Sequence, residues 1–207
     1  VCYTGTGNAG LTVNHNLGVV PEMMWCKNLS GSGTSWPVYH KDLDGTNAAT
    51  KYLYLNSSGA ASSYTGHFND TQPTSSVITL GSGSGGINYS GREHIIYLFA
   101  TVAGVSKVGS YTGDGTTDGS KVIDCGFSSG AKFVLVKCSS HSGDWAFFDT
   151  TRGIVAGNDS ALFLNNDSAE NDGFDVIDPH SSGFAVNDNG GTYINENGQT
   201  YIFYAVA

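Results

Sequence analysis

The sequence predicts an all-β chain of two tandem antiparallel β-sandwich domains, jelly-roll-like, related by an internal duplication. Three observations predict it. First, the closing decapeptide Gly198-Gln-Thr-Tyr-Ile-Phe-Tyr-Ala-Val-Ala207 has a near copy in Gly91-Arg-Glu-His-Ile-Ile-Tyr-Leu-Phe-Ala100. Each copy reads as a closing strand buried on both faces: a turn glycine, then aromatic and β-branched residues, then small apolar ones. Second, further segments echo in the same order at an offset that drifts only between about 106 and about 110 residues. Third, 29 glycines, 13% charged residues and no sustained helical periodicity punctuate the backbone with turns, leaving little or no helix expected.

The echoes set the order of elements. Tyr3-Thr4-Gly5 is answered by Tyr111-Thr112-Gly113, and residues 21–27 by residues 131–137, each a short apolar run that ends in a lysine. Trp36 falls opposite Trp145, residues 51–56 opposite 160–165, residues 75–80 opposite 181–186, and Asn88 with Gly91 opposite Asn195 with Gly198. Domains at 1–104 and 105–207 follow, each of ordinary domain size and each expected to fold alone. Strands are predicted at 1–3, 11–17, 23–27, 36–40, 52–55, 77–80 and 94–100, and again at 109–112, 121–127, 132–138, 145–150, 161–164, 183–186 and 200–207. The stretches 56–76 and 165–182 are polar and aperiodic and read as surface loops. The junction 101–107 is short and apolar, which predicts that the second domain packs on the first.

A chain of 207 residues, 39% hydrophobic and 12% aromatic, buries two modest cores. No apolar run approaches the ~18 residues of a membrane-spanning helix, so membrane insertion is not expected. Net charge is −9 and the nine Lys and Arg are scattered singly, which argues against nucleic acid as a partner. Cys2, Cys26, Cys125 and Cys138 are not equivalent between repeats and lack metal-ligand spacing, so reduced, mostly buried thiols are expected, with a Cys125–Cys138 bridge left open. The chain opens on Val1 without a leader, which reads as a fragment or processed product of something longer.

The run Tyr111-Thr-Gly-Asp-Gly115, Asp124-Cys-Gly-Phe127, Phe133-Val-Leu-Val-Lys137, Gly143-Asp-Trp145 and residues 149–159, continued by Asp178-Pro-His-Ser-Ser-Gly-Phe184 and Tyr201-Ile-Phe203, resembles a domain widespread in virion proteins of tailed bacteriophages. The first repeat resembles its usual companion through Asn16-Leu-Gly18, Trp36-Pro-Val-Tyr-His40, Tyr52-Leu-Tyr-Leu-Asn56, Pro73-Thr-Ser-Ser76 and Tyr97-Leu-Phe-Ala100. The resemblance covers essentially the whole chain. It implies a structural or receptor-binding module at the virion surface, assembled in the host cytoplasm, that partners other virion proteins as a homo-oligomer, commonly a trimer. A tail-fibre or tail-tip module that attaches to a host surface glycan is the first reading, a capsid decoration protein the alternative, and a capsule-degrading glycosidase the third. One departure is Gly130, with Ser128 and Ser129, where a Pro-Ala pair often stands; it is expected to loosen one turn.

Neither catalysis nor a cofactor is expected. Asp42, Asp44, Asp144, Asp149, Asp159, Glu170 and Asp172 sit among Asn, Gly and Ser, where Asp is favoured because its side chain caps turns, and no Ser-His-Asp set recurs. The acidic run 165–170 with Asp172 and Asp175 lacks EF-hand spacing, so a metal site is not expected. Gly31-Ser32-Gly33 and residues 81–86 precede no helix that would cradle phosphate. Trp36 and Trp145 recur and read as core. The residues left over as candidate contacts to receptor or partner are aromatic or Asn/Asp: Trp25, Tyr64, Phe68, Tyr89, Asn166, Asp167, Asp172 and His180. Rings that stack on sugars, beside bidentate amides and carboxylates, suit carbohydrate recognition.

Overall fold

The computed structural model describes residues 1–31, 34–188 and 194–207, and at Ser84 the backbone alone. The chain divides into two compact units, Val1–Asn56 with Ala61–Ala100, and Ser57–Ala60 with Thr101–Ala207.

In the first unit β1 (Cys2–Thr4), β2 (Leu11–Asn14), β3 (Met23–Asn28), β4 (Pro37–His40), β5 (Lys51–Tyr54), β6 (Ser62–Ser63), α1 (Thr65–Phe68), β7 (Val77–Leu80) and β8 (Glu93–Phe99) follow in order. They form a six-stranded sheet β1-β8-β3-β4-β5-β6 and a two-stranded sheet β2-β7. The second unit contains β9 (Ser106–Thr112), β10 (Lys121–Asp124), β11 (Phe133–Cys138), β12 (Trp145–Asp149), β13 (Asp159–Phe163), β14 (Asn171–Phe174), β15 (Ile177–His180), β16 (Gly183–Val186) and β17 (Thr200–Val206). Its sheets run β9-β17-β11-β12-β13-β14 and β10-β16-β15. Strand for strand this is the first topology with β15 added, so the duplication is written in the hydrogen bonding. Each unit is an asymmetric antiparallel sandwich.

Alternation places the cores. On β3, Met24 and Cys26 face Val13 of β2 and Ile78 and Leu80 of β7; on β11, Val134 and Val136 face Ile123 of β10 and Phe184 and Val186 of β16. Each such fully buried side chain contributes roughly 1.5–3 kcal/mol. On the opposite faces of the large sheets Met23, Val38 and Leu53, and Leu135, Trp145 and Ile202, are buried too, as expected of strands apolar on both sides.

A repeated clamp closes each sandwich. Tyr3 pairs with His94 across β1 and β8, its ring stacks on the imidazole at 5.2 Å, and its hydroxyl donates to the Ile87 carbonyl. Tyr111 pairs with Tyr201 across β9 and β17, stacks on it at 5.1 Å, and donates to the Ile194 carbonyl at 2.6 Å. The next residue in each case is a buried asparagine. Asn88 Oδ1 accepts from the Thr6 and Gly7 amides at 2.8 and 3.3 Å, while its Nδ2 donates to the Asn8 and Gly81 carbonyls at 2.8 and 2.6 Å. Asn195 Oδ1 accepts from the Asp114 amide at 3.1 Å, and its Nδ2 donates to Asp114 Oδ1 and the Thr116 carbonyl, each at 3.1 Å. The approach demands glycine: a Cβ on Gly5 would collide with the Tyr89 carbonyl, and one on Gly113 with the Glu196 carbonyl.

Several expectations need correction. The boundary lies after Ala100, because Val102 bridges to Ser106 and the Val108 amide donates to Thr101 Oγ1. Residues 57–60 join the second unit: Lys137, fully buried, donates through Nζ to the carbonyls of Ser58 at 3.2 Å and Cys138 at 2.7 Å, and the Gly143 amide also donates to Ser58. Burial pushes the Lys137 ammonium down to about 8. A fragment 105–207 therefore lacks an acceptor for a buried cation. The stretch 56–76 is not all surface, since it forms β6 and α1 and buries Gly66, His67 and Phe68. The stretch 165–182 supplies β14 and β15. Trp145 is core, but Trp36 is half-exposed under Lys27, whose Nζ sits 5.1 Å from the ring centroid. All four cysteines are free, Cys2 exposed and the others buried.

Replacing Asn88 by Ala leaves the buried Gly81 carbonyl without its donor and unties the turn after β1; it is expected to cost about 1–3 kcal/mol, read as a lowered urea midpoint, and Asn195→Ala is expected to act alike on the second unit.

Candidate functional site

The clamp also builds a cleft, because the residues flanking Ile87 and Asn88 in the chain line it. Gly85, Gly86 and Tyr89 form one side, and Pro37 of β4, Tyr54 of β5 and the hydroxyl residues Thr34 and Ser35 the other, enclosing about 190 Å³. That is below the roughly 300–1,000 Å³ of drug-sized pockets and suits one ring of a larger ligand.

The aromatic walls are held from behind. Pro37 and Tyr54 are cross-strand partners, so both project from one face of the sheet. Tyr54 packs edge-on against Tyr52 at 4.9 Å and His67 at 5.9 Å. His67 in turn meets Tyr52 at 4.4 Å and Tyr64 at 5.1 Å. Burial, then the neighbouring Tyr52, Tyr64 and Tyr89 phenols, push the Tyr54 phenol up to about 12, so it stays a neutral donor and acceptor at ordinary pH. Tyr89 carries the Arg92 guanidinium 5.0 Å from its ring centroid, which fixes the ring. Gly85 must be glycine, because a Cβ there would overlap the Gly66 backbone of α1. Thr34 Oγ1 is buried and has no hydrogen-bond partner among the described residues, although Thr34 belongs to the cleft wall. A buried unpaired hydroxyl is costly unless something else satisfies it.

The family described as a domain of unknown function, DUF7483, matches residues 1–207, and so spans both units. The chain belongs to the DUF7483 family. No curated protein and no solved structure matches it.

In this DUF7483 chain the sequence-predicted contact residues separate. Tyr89 lines the cleft, and Tyr64, 38% exposed, packs on the ring cluster behind it. Phe68 is core, 1% exposed and edge-on to Tyr39 at 5.6 Å, because α1 turns it inward. Trp25 pairs with Val38 and lies on the sheet face opposite Tyr54, half-buried against Phe99 at 4.6 Å. Asn166, Asp167 and Asp172 are exposed in the second unit, where Asn166 Oδ1 caps its own turn by accepting from the Ser168 amide. His180 lies on β15 in that unit. Sequence reasoning missed Tyr54 and Thr34. The Tyr52-Leu53-Tyr54 alternation was a usable signal; an orphan hydroxyl in a Gly/Ser loop leaves none.

Three of the candidate carboxylates serve structural bonds. Asp44 Oδ1 accepts from the Thr46 hydroxyl and amide and the Asn47 amide, bonds that hold it down at about 2. Asp149 accepts from the Thr151 and Arg152 amides and pairs with the Arg152 guanidinium. Asp159, expected on a loop, starts β13 fully buried and accepts from the Val155, Val176 and Ile177 amides. Burial outweighs those donors and pushes its carboxyl up to about 6. Among the described residues no three His, Cys, Asp or Glu side chains are placed to hold a metal. Of the glycine run 31–33, Ser32 and Gly33 lie outside the described residues.

His67 and Asp159 give the units opposite responses to acid. Burial pushes the His67 imidazolium down to about 4, so the unfolded chain takes that proton first, and the first unit loses roughly 3 kcal/mol as pH falls from about 6.5 to about 4. Asp159 is shifted upward, so the folded second unit takes its proton first and gains stability as pH falls from about 6 to about 4. Amide exchange followed separately in each unit is expected to accelerate in the first and not in the second across that window, and His67→Phe is expected to reduce the first unit's response to the part due to His94, whose imidazolium burial also pushes down.

Proposed function

We propose that this chain is a carbohydrate-binding adhesion module of a larger virion protein of a tailed bacteriophage, at the tail fibre or tail tip, presenting the first unit's cleft to a glycan on the host surface. The observation that carries the binding reading is the cleft itself: a preset Tyr89 ring and Tyr54 phenol, with the hydroxyl residues Thr34 and Ser35 in the same lining. A sugar ring offers an apolar C–H face to an aromatic ring and hydroxyls to the polar groups beside it. The virion setting, a trimeric assembly and attachment to other virion proteins rest on the sequence resemblance.

No hydrolysis enters this reading. A glycosidase uses two carboxyl groups about 5–9.5 Å apart across one bond, and the residues lining this cleft include no carboxylate. The module holds its glycan and leaves it intact.

The full chain is expected to retain a subset of immobilised neutral bacterial-surface oligosaccharides. Tyr89→Ala is expected to weaken that retention at least about tenfold with an unchanged circular dichroism spectrum, whereas Trp25→Ala, on the opposite sheet face, leaves it intact. Equal loss from both variants, or no retention of any glycan by the wild type, would overturn the reading.

A further inference from the structure

The second unit carries a cleft of its own, of about 190 Å³, between the loop leading into β11 and the end of β15, lined among others by Ser129, Lys132, Thr150, His180 and Ser181. Its chemistry differs from the aromatic cleft. The residues lining it include a lysine, a histidine and three hydroxyls, and no carboxylate.

The duplication shows what is unusual here. In the first unit the Lys41 amide donates to the Glu22 carbonyl at 2.8 Å, and in the second the Thr150 amide donates to the Lys132 carbonyl at 3.0 Å, so Glu22 matches Lys132 and Lys41 matches Thr150. Glu22 and Lys41 neutralise each other through an ion pair of 2.9 Å. In the second unit lysine stands where the acid stood and threonine where the base stood. Lys132 is exposed and makes no ion pair among the described residues. Of the carboxylates nearby in the chain, Asp149 is paired with Arg152, and Asp178 accepts from the Asn187 side-chain Nδ2 at 2.8 Å.

The histidine is set as a donor. His180 Nδ1 accepts from the Ser182 amide at 3.3 Å and lies 3.1 Å from Ser182 Oγ, an arrangement that favours the neutral ring with its proton on Nε2. Gly130 holds the two walls together: its amide donates to Ser181, its φ is +76°, and a Cβ would fall 2.8 Å from the His180 carbonyl. The Gly130 departure from the common Pro-Ala pair thus fixes this turn and does not loosen it.

We infer that this cleft is an oxyanion site that takes the carboxylate or phosphate group of an acidic saccharide. Lys132 supplies the charge, His180 Nε2–H a directed donor, and the Ser129, Thr150 and Ser181 hydroxyls the remaining hydrogen bonds. On a chain of net charge −9 such a site is local, and its attraction falls as salt screens it. The site is independent of the aromatic cleft.

The test is an amide-resolved NMR titration of the full chain with sodium glucuronate, inorganic phosphate and glucose in parallel. Shifts centred on Gly130, Lys132 and His180 are expected with glucuronate or phosphate; response to the first alone identifies a carboxylate ligand, to the second alone a phosphate, and to both a site that reads charge. His180→Gln is expected to weaken the binding at least about tenfold. The double variant Lys132→Glu with Thr150→Lys, which rebuilds the first unit's ion pair without disturbing the fold, is expected to abolish it. Glucose acting as well as glucuronate, shifts confined to Tyr89 and its neighbours, or no response to either anion would overturn the inference.

Discussion

The constraint on which the rest depends is the buried asparagine at the end of each sandwich. Opening and closing strands meet edge to edge only if the loop before the closing strand is tied to the turn after the opening one. The Asn88 side chain is fully buried and its amide must be paired, and it bonds four backbone groups at once, three in the turn after β1 and one at Gly81. The stacked Tyr3 and Tyr111 rings seal the same end and spend their hydroxyls on the Ile87 and Ile194 carbonyls. The cleft of the first unit is a by-product of that closure, since Gly86 and Tyr89 flank the clamp residues in the chain.

Duplication then let the two copies diverge where the scaffold does not care. The positions of Pro37, Tyr54 and Tyr89 are held in the second unit by Ala146, Phe163 and Glu196, so the aromatic cleft is not repeated. In return the second unit exchanges an internal ion pair for a bare lysine. The exchange was thermodynamically easy, because a partly exposed pair such as Glu22–Lys41 is worth at most about 1 kcal/mol. Recognition chemistry can change at such sites while clamp and cores stay fixed.

Much of the fold was legible because strands announce themselves by alternation and the repeat supplied a second reading of each. The matches of Tyr3 with Tyr111, Asn88 with Asn195 and Trp36 with Trp145 hold down to their bonds: the Trp36 and Trp145 amides donate to the matched Asn56 and Asn165 side chains. What stayed hidden depended on tertiary context. Phe68 and His67 lie in a polar stretch and are buried only because Gly66 and Gly85 let α1 approach closely. β14 and β15 are polar edge strands whose pairing no periodicity reveals. Tyr89 was legible as an aromatic in polar surroundings, whereas the same reasoning misplaced Phe68, since sequence gives a ring's neighbours along the chain and not across it.

The most direct measurement is hydrogen exchange of the clamp amides in the intact chain, at Gly5, Gly7, Gly113 and Gly115, which donate to Arg92, Asn88, Gln199 and Asn195. These glycines lie in turns outside any strand, where unprotected exchange is the ordinary outcome. If the clamps hold the sandwiches closed, they exchange as slowly as the central amides of β3 and β11. Exchange at the rate of the exposed turn at Asn166 to Ser168 would contradict the account, and would mean that the sheets close without them.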